Sequence, residues 1–184
     1  MAIAEEAKKQ VLGDACFGDH SMLVYRDLDA LREMYCAYCK AAHLEPASEI
    51  VLIATQYETP ARVRQNLMDC GIDVEKCERD GSLVIVDAVK GYQHGDMNGV
   101  LKLAKSLASR AEKEGKQGMC VFGDPGSFFM FDRLAELLQY ELSLPHRFDV
   151  KIKGFCSYHA ADFDRLAPGQ KQAVEGNHCR KIVA

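Results

Sequence analysis

Short apolar runs alternate along the chain with longer segments in which apolar residues recur every three or four positions. Residues 50–54 (IVLIA) and 83–86 (LVIV) are apolar without interruption, which is typical of strands buried on both faces of a sheet. After an earlier apolar run at residues 22–25, Asp27 can cap a helix that places Leu28, Leu31 and Tyr35 on one face. The predicted strands cover residues 22–25, 50–54, 83–86, 120–122, 151–158 and 181–183.

Helix-start and helix-stop residues divide the segments between these strands. Thr59 and Pro60 are an N-cap followed by proline at the first helical position, and Gly71 ends that helix. A longer helix begins at Asp96 and ends before Gly115, and two more are predicted after Gly126 and over residues 162–174. Strands separated by helices of this length predict a three-layer α/β/α sandwich with a mostly parallel sheet. In such sheets, ligands bind outside the carboxyl ends of the strands.

Composition and charge narrow the class of protein. The 184 residues suit one domain, and the 48 % apolar and 27 % charged content is ordinary for a globular chain. A net charge of -4 gives no basis for binding nucleic acid or an anionic membrane. No apolar run is long enough to span a bilayer, and the first residues do not resemble a signal peptide. We therefore expect a cytoplasmic protein whose eight cysteines are reduced.

The segment from Asn66 to Ala88, NLMDCGIDVEKCERDGSLVIVDA, resembles RecA-family ATPases of the KaiC type. Those ATPases need a glycine-rich loop ending in Gly-Lys-Ser/Thr after the first strand, because its N–H groups and lysine hold the phosphates. The corresponding residues here read VYRDLDALREM and contain no glycine. The resemblance implies a RecA-like sheet without its Walker A loop, so we expect no nucleotide hydrolysis and no cofactor.

A broader resemblance runs from Gly18 onward. It includes Gly18-Asp19-His20, the KaiC-like segment, VFGD at 121–124, GFCSY at 154–158 and Asn177-His178. In this order the motifs resemble the MEDS domain, the sensory domain of methanogen and methylotroph regulators of the DcmR type. The resemblance implies a sensor of small organic molecules, with residues 1–17 as an N-terminal extension and 18–184 as one domain. Since no output module follows, we expect signalling through a partner protein, and a homodimer is possible.

Polar residues at positions that match the family predict a ligand site at the carboxyl edge of the sheet. The predicted ligand-binding residues are His20, Tyr25, Asp124, Glu141, Tyr158 and His178. We expect binding of a small organic molecule rather than catalysis, because no nucleophile or zinc-protease motif is present. The alternative is an enzyme, or a residual nucleotide or metal binder, that uses Asp124, Glu141, His20 and His178 at the same edge. A third interpretation is a scaffold that dimerises through apolar helix faces.

Two groups of cysteines could bind a metal. Cys36 and Cys39 have CxxC spacing, but zinc sites normally need a second ligand pair, and this pair lies within a predicted helix. Cys16, His20, His178 and Cys179 could form a mixed site if the two ends of the chain meet. We expect neither group to hold a metal.

Overall fold

A computed structural model of the chain describes residues 12, 14–43, 48–93 and 99–184. Within these residues, six strands form one sheet in the order β3-β2-β4-β5-β1-β6, and every neighbouring pair is parallel. The strands are β1 (His20–Tyr25), β2 (Glu49–Thr55), β3 (Leu83–Asp87), β4 (Gly118–Gly123), β5 (Ile152–His159) and β6 (Arg180–Val183). The strand pattern therefore predicted the sheet correctly, and all the pairs are parallel.

Nine α-helices lie in the described residues, with one π-helical segment (Cys39–His43) that continues the first of them. The helices are α1 (Leu28–Tyr38), α2 (Pro60–Asp69), α3 (Val74–Arg79), α4 (Ala88–Gln93), α5 (Gly99–Lys113), α6 (Gly126–Met130), α7 (Leu134–Ser143), α8 (Ala160–Phe163) and α9 (Pro168–Gly176). None of the described helices is both long and apolar enough to cross a bilayer.

Two apolar cores cover the two faces of the sheet, which confirms the three-layer sandwich. Helices α1, α2 and α3 pack on one face, and α5 to α9 pack on the other. Two odd-numbered strand residues, Leu23 and Phe155, belong to the core on the side of α1, α2 and α3. The core on the side of α5 to α9 contains the even-numbered Met22, Val24 and Tyr158. This division follows from the pleat, because successive side chains of a strand point to opposite faces.

The predicted helix caps are confirmed. Asp27 accepts a hydrogen bond from the N–H of Ala30 at 2.8 Å, and Thr59 accepts one from Arg62 at 3.2 Å. Gly71, with a φ of 85°, ends the segment that follows α2. The predicted start of α5 at Asp96 lies outside the described residues.

Two predicted helices are interrupted. The helix expected after Gly126 is divided into α6 and α7, and between them Asp132 adopts a φ of 54°. The helix expected over residues 162–174 is also divided, because Pro168 begins α9 and cannot continue α8. Of the predicted extension 1–17, residues 1–11 and 13 lie outside the described part of the chain, while Leu12 and Ala15 are buried in the core beside α1.

Candidate functional site

The structure divides the six predicted site residues into two groups. Tyr25 ends β1 and Asp124 follows β4, so both lie at the carboxyl edge of the sheet. His20 begins β1 and His178 precedes β6, which places both at the amino ends of their strands. The prediction of one group at the carboxyl edge is therefore wrong for the two histidines.

Both histidines instead lie on a sheet face, where they meet Glu141 at the end of α7. The His20 and His178 rings are tilted by 40° to each other, with their centroids 4.1 Å apart. Nε2 of His178 lies 3.6 Å from a Glu141 carboxylate oxygen, and Nε2 of His20 lies 4.0 Å from the same oxygen. His20 and Glu141 are fully buried and His178 nearly so. Tyr158 packs edge-on to His178 with the centroids 6.5 Å apart.

Cys156 completes this group, and sequence reasoning missed it. Its Sγ lies 3.3 Å from Nε2 of His20. In the register of the sheet, Met22 pairs with Cys156 and Val24 pairs with Tyr158. Because side chains two residues apart share a face, Tyr158 on a strand already indicated that Cys156 points the same way. We call His20, Glu141, Cys156 and His178 the buried cluster.

Neighbouring segments hold the cluster in place. Nδ1 of His178 lies 2.7 Å from the carbonyl oxygen of Val174. A carbonyl accepts hydrogen bonds only, so Nδ1 carries the proton and the Nε2 lone pair faces Glu141. The Asn177 side chain donates to the carbonyls of Glu141 and Leu144 at 2.7 and 3.1 Å. The end of α7 is thereby tied to the turn that carries His178.

Gly18 lets the chain close over His20. It has a φ of 95°, and a Cβ there would lie 3.1 Å from the carbonyl oxygen of Phe148. Phe148 in turn donates its N–H to the Gly18 carbonyl at 2.8 Å, and its ring centroid lies 5.2 Å from that of His20. A residue other than glycine would be strained at this φ and would push the Phe148 segment away from the histidine.

Burial dominates the electrostatics of the cluster. It raises the pKa of Glu141 to about 7, while the nearby Tyr158 hydroxyl acts in the opposite direction. Burial, and then the neighbouring His178, lower the pKa of His20 to about 3. Burial also lowers the pKa of His178 and raises that of the Cys156 thiol well above its usual value. Neither Glu141 carboxylate oxygen makes a hydrogen bond with any residue that the structure describes.

In the second group, at the carboxyl edge, Asp124 is hydrogen-bonded by Tyr25 and by the nearby backbone. The Tyr25 hydroxyl donates to one oxygen of Asp124 at 2.6 Å, and the N–H of Gly126 donates to the other at 2.8 Å. The bond to Gly126 is an Asx turn, in which a side chain caps the backbone two residues on. Burial raises the pKa of Asp124 to about 7, although both hydrogen bonds lower it. The interactions of Asp124 are those of a structural turn residue.

A small cavity adjoins the buried cluster through Cys156. It has a volume of about 30 Å³ and lies between α5 and the sheet. Its apolar side chains include Val100, Leu101 and Ala104 from α5, Val121 from β4, and Tyr140 and Phe148. Since Tyr140 and Glu141 are consecutive, α7 contributes to the cavity and to the cluster at the same point.

The cysteine predictions require a correction. Cys36 is disulfide-bonded to Cys70, so the cysteines are not all reduced and Cys36 does not pair with Cys39. The CxxC spacing gave no indication of this bond, because Cys70 reaches Cys36 from the C-terminal end of α2. The second candidate group is also different: His20 and His178 lie with Glu141 and Cys156, whereas Cys16 is exposed.

Comparison with known protein families identifies the family of this chain. The MEDS family, described as the methanogen/methylotroph, DcmR sensory domain, matches residues 19–170. This range includes three members of the buried cluster and all the lining residues of the cavity. No curated protein matches the chain.

Proposed function

Because the chain belongs to the MEDS family of sensory domains, we propose that it binds a small, largely apolar organic molecule in the cavity beside Cys156. The observation that carries the proposal is an apolar cavity with a polar cluster at one end. Sites for small molecules combine these two features, since apolar walls supply affinity and a few polar groups fix orientation.

The size of the cavity limits the ligand. A water molecule needs about 10–15 Å³ on this measure, so a cavity of 30 Å³ suits one or two non-hydrogen atoms. Simple one-carbon compounds such as methanol or chloromethane have this size and polarity. Longer alcohols would have to displace the α5 side chains that line the cavity, at the cost of repacking a dense core.

Helix α7 connects the cavity with an exposed surface of the protein. Tyr140 lines the cavity, while Leu142, two residues further on, is 57 % exposed. A ligand that displaces Tyr140 would therefore move a surface that carries an exposed apolar side chain. We propose that a partner protein recognises this surface, in keeping with a sensory role.

Backbone amide shifts measured by NMR during titration with methanol, chloromethane and 1-butanol test the proposal. The small ligands should perturb the amides of Gly123, Gly154 and Cys156, which line the cavity. 1-Butanol should perturb them far less. In Ala104→Leu, which fills the cavity, these perturbations should disappear.

The matched control is Ala108→Leu, which makes the same change one helical turn further along α5, outside the cavity lining. It should retain the response to the small ligands. Perturbations confined to Tyr25 and Asp124 would place the ligand at the carboxyl edge and contradict the cavity. Equal responses in the two leucine variants, or none in the unaltered protein, would also contradict it.

A further inference from the structure

Four side chains of types that bind transition metals converge on one point inside the protein. One ligand atom from each of His20, Glu141, Cys156 and His178 lies within 4.8 Å of all the others. A tetrahedral zinc ion with bonds of about 2.0–2.3 Å holds its ligand atoms roughly 3.3–3.6 Å apart. The separations of 3.3, 3.6 and 4.0 Å within the cluster are close to that range.

The ligand atom of His178 also has the required orientation. His178 binds the Val174 carbonyl through Nδ1, which leaves the Nε2 lone pair directed at Glu141. Metal-bound histidines usually donate their second N–H to a carbonyl or carboxylate in this way. Without a cation, that lone pair faces carboxylate oxygens that are themselves electron-rich.

Hydrogen bonding gives an independent reason to expect a cation. Both Glu141 oxygens and His178 Nε2 are buried and make no hydrogen bond with the described residues. Buried polar atoms without partners are costly and uncommon. A divalent cation would satisfy these lone pairs. On binding it would displace the proton of Cys156, and its two positive charges would balance the resulting thiolate and the Glu141 carboxylate.

We propose that His20, Glu141, Cys156 and His178 bind one divalent transition-metal ion of the zinc type, in a site with four protein ligands. Two imidazoles, one thiolate and one carboxylate are a donor set suited to zinc or cobalt rather than to magnesium or calcium. The ion joins β1, β5, the end of α7 and the turn before β6. Cys156 also lines the cavity proposed for an organic molecule, but metal binding by these four residues does not depend on that proposal.

The primary experiment uses the full-length, tag-free protein without substitutions. After chelation and dialysis, it should bind one zinc ion per chain, as measured by elemental analysis. X-ray absorption spectroscopy of the zinc-loaded protein should show one sulfur ligand at about 2.3 Å and three nitrogen or oxygen ligands at about 2.0–2.2 Å. A first shell with no sulfur, or with two or more, would overturn the proposal, as would the absence of stoichiometric binding.

Cobalt provides the comparison among variants. Co²⁺ bound to the unaltered protein should show thiolate-to-metal charge-transfer absorption, which Cys156→Ser should abolish. Cys120→Ser is the matched control, because Cys120 lies in the same sheet but is buried in the opposite core. Cys120→Ser should keep the charge-transfer absorption. If Cys156→Ser also kept this absorption, the assignment of Cys156 as a ligand would be refuted.

A second variant tests the site without removing the sulfur. His178→Gln should weaken zinc binding more than about 100-fold, which exceeds the 10–100-fold effect of losing an outer-shell partner. Circular dichroism identifies any variant that fails to fold, and the spectroscopy of the unaltered protein then decides the question. An affinity unchanged in folded His178→Gln would contradict its role as a ligand.

Discussion

The buried Asp124 predicts an unusual dependence of stability on pH. Its pKa rises from 3.8 to about 7 in the folded protein, mainly through burial. The unfolded chain therefore loses this proton at lower pH than the folded chain does. Between about pH 4 and pH 7 the folded state binds more protons, so Asp124 makes the free energy of unfolding decrease as pH rises.

The size of the effect follows from the shift. About three pKa units correspond to about 4 kcal/mol, which is an upper figure because the protein can relax around the charge. Asp124→Asn keeps the shape of the side chain but cannot ionise. Its amide can donate to the Tyr25 hydroxyl, which is able to accept, while its oxygen still accepts from Gly126.

Urea denaturation of both proteins, followed by circular dichroism between about pH 4 and pH 8, measures the effect. The stability of Asp124→Asn relative to the unaltered protein should increase with pH by up to about 4 kcal/mol. Asp132→Asn is the control, because that side chain is 89 % exposed and its charge stays solvated. A difference between Asp124→Asn and the unaltered protein that is constant with pH would refute the reasoning.

Three further predictions concern stability. Lys153→Met should lower the free energy of unfolding, measured by urea denaturation, by about 3–5 kcal/mol, because it leaves Glu49 buried without the ammonium group 2.6 Å away. Adding Glu49→Gln to the same chain should recover part of this loss. Reduction of the Cys36–Cys70 disulfide should lower the free energy of unfolding by about 4 kcal/mol, because the bond closes a loop over a sequence separation of 34. A variant with alanine at both cysteines should not respond to reductant, and equal sensitivity would contradict the bond. Gly126→Ala should lower the melting temperature, because its Cβ would lie 2.7 Å from the nearest side-chain carbon; an unchanged melting temperature would show that the loop adjusts freely.

The sequence predicted the fold because the signals for it are local. Continuous apolar runs identified the buried strands, and Asp27 and Thr59 marked helix starts through bonds made within three residues. Short polar segments between helices were harder, since Asp132 gives no sign in the sequence that it will adopt a positive φ. Element types were therefore predicted better than element boundaries.

The candidate site depends on non-local geometry, and its prediction was only partly correct. Residue type identified His20, Glu141 and His178, but not the end of the sheet at which they meet. The strands predicted at 22–25 and 181–183 already placed His20 and His178 before their strands, at the amino ends, so the carboxyl-edge position did not follow from the strand pattern. Cys156 was predicted only to be a reduced cysteine, because nothing along the chain joins it to residues far away in sequence.

The strand order has a consequence for the synthesis of this protein. β2 pairs with β3 and β4, so half of the sheet can form from neighbouring segments of the chain. β1 is made first, yet its neighbours in the sheet are β5 and β6, which leave the ribosome last. Its apolar residues must stay unpaired through most of translation, which exposes the nascent chain to misassembly until the final strands arrive. His20 and His178 can therefore meet only after the segment between α9 and β6 has been made.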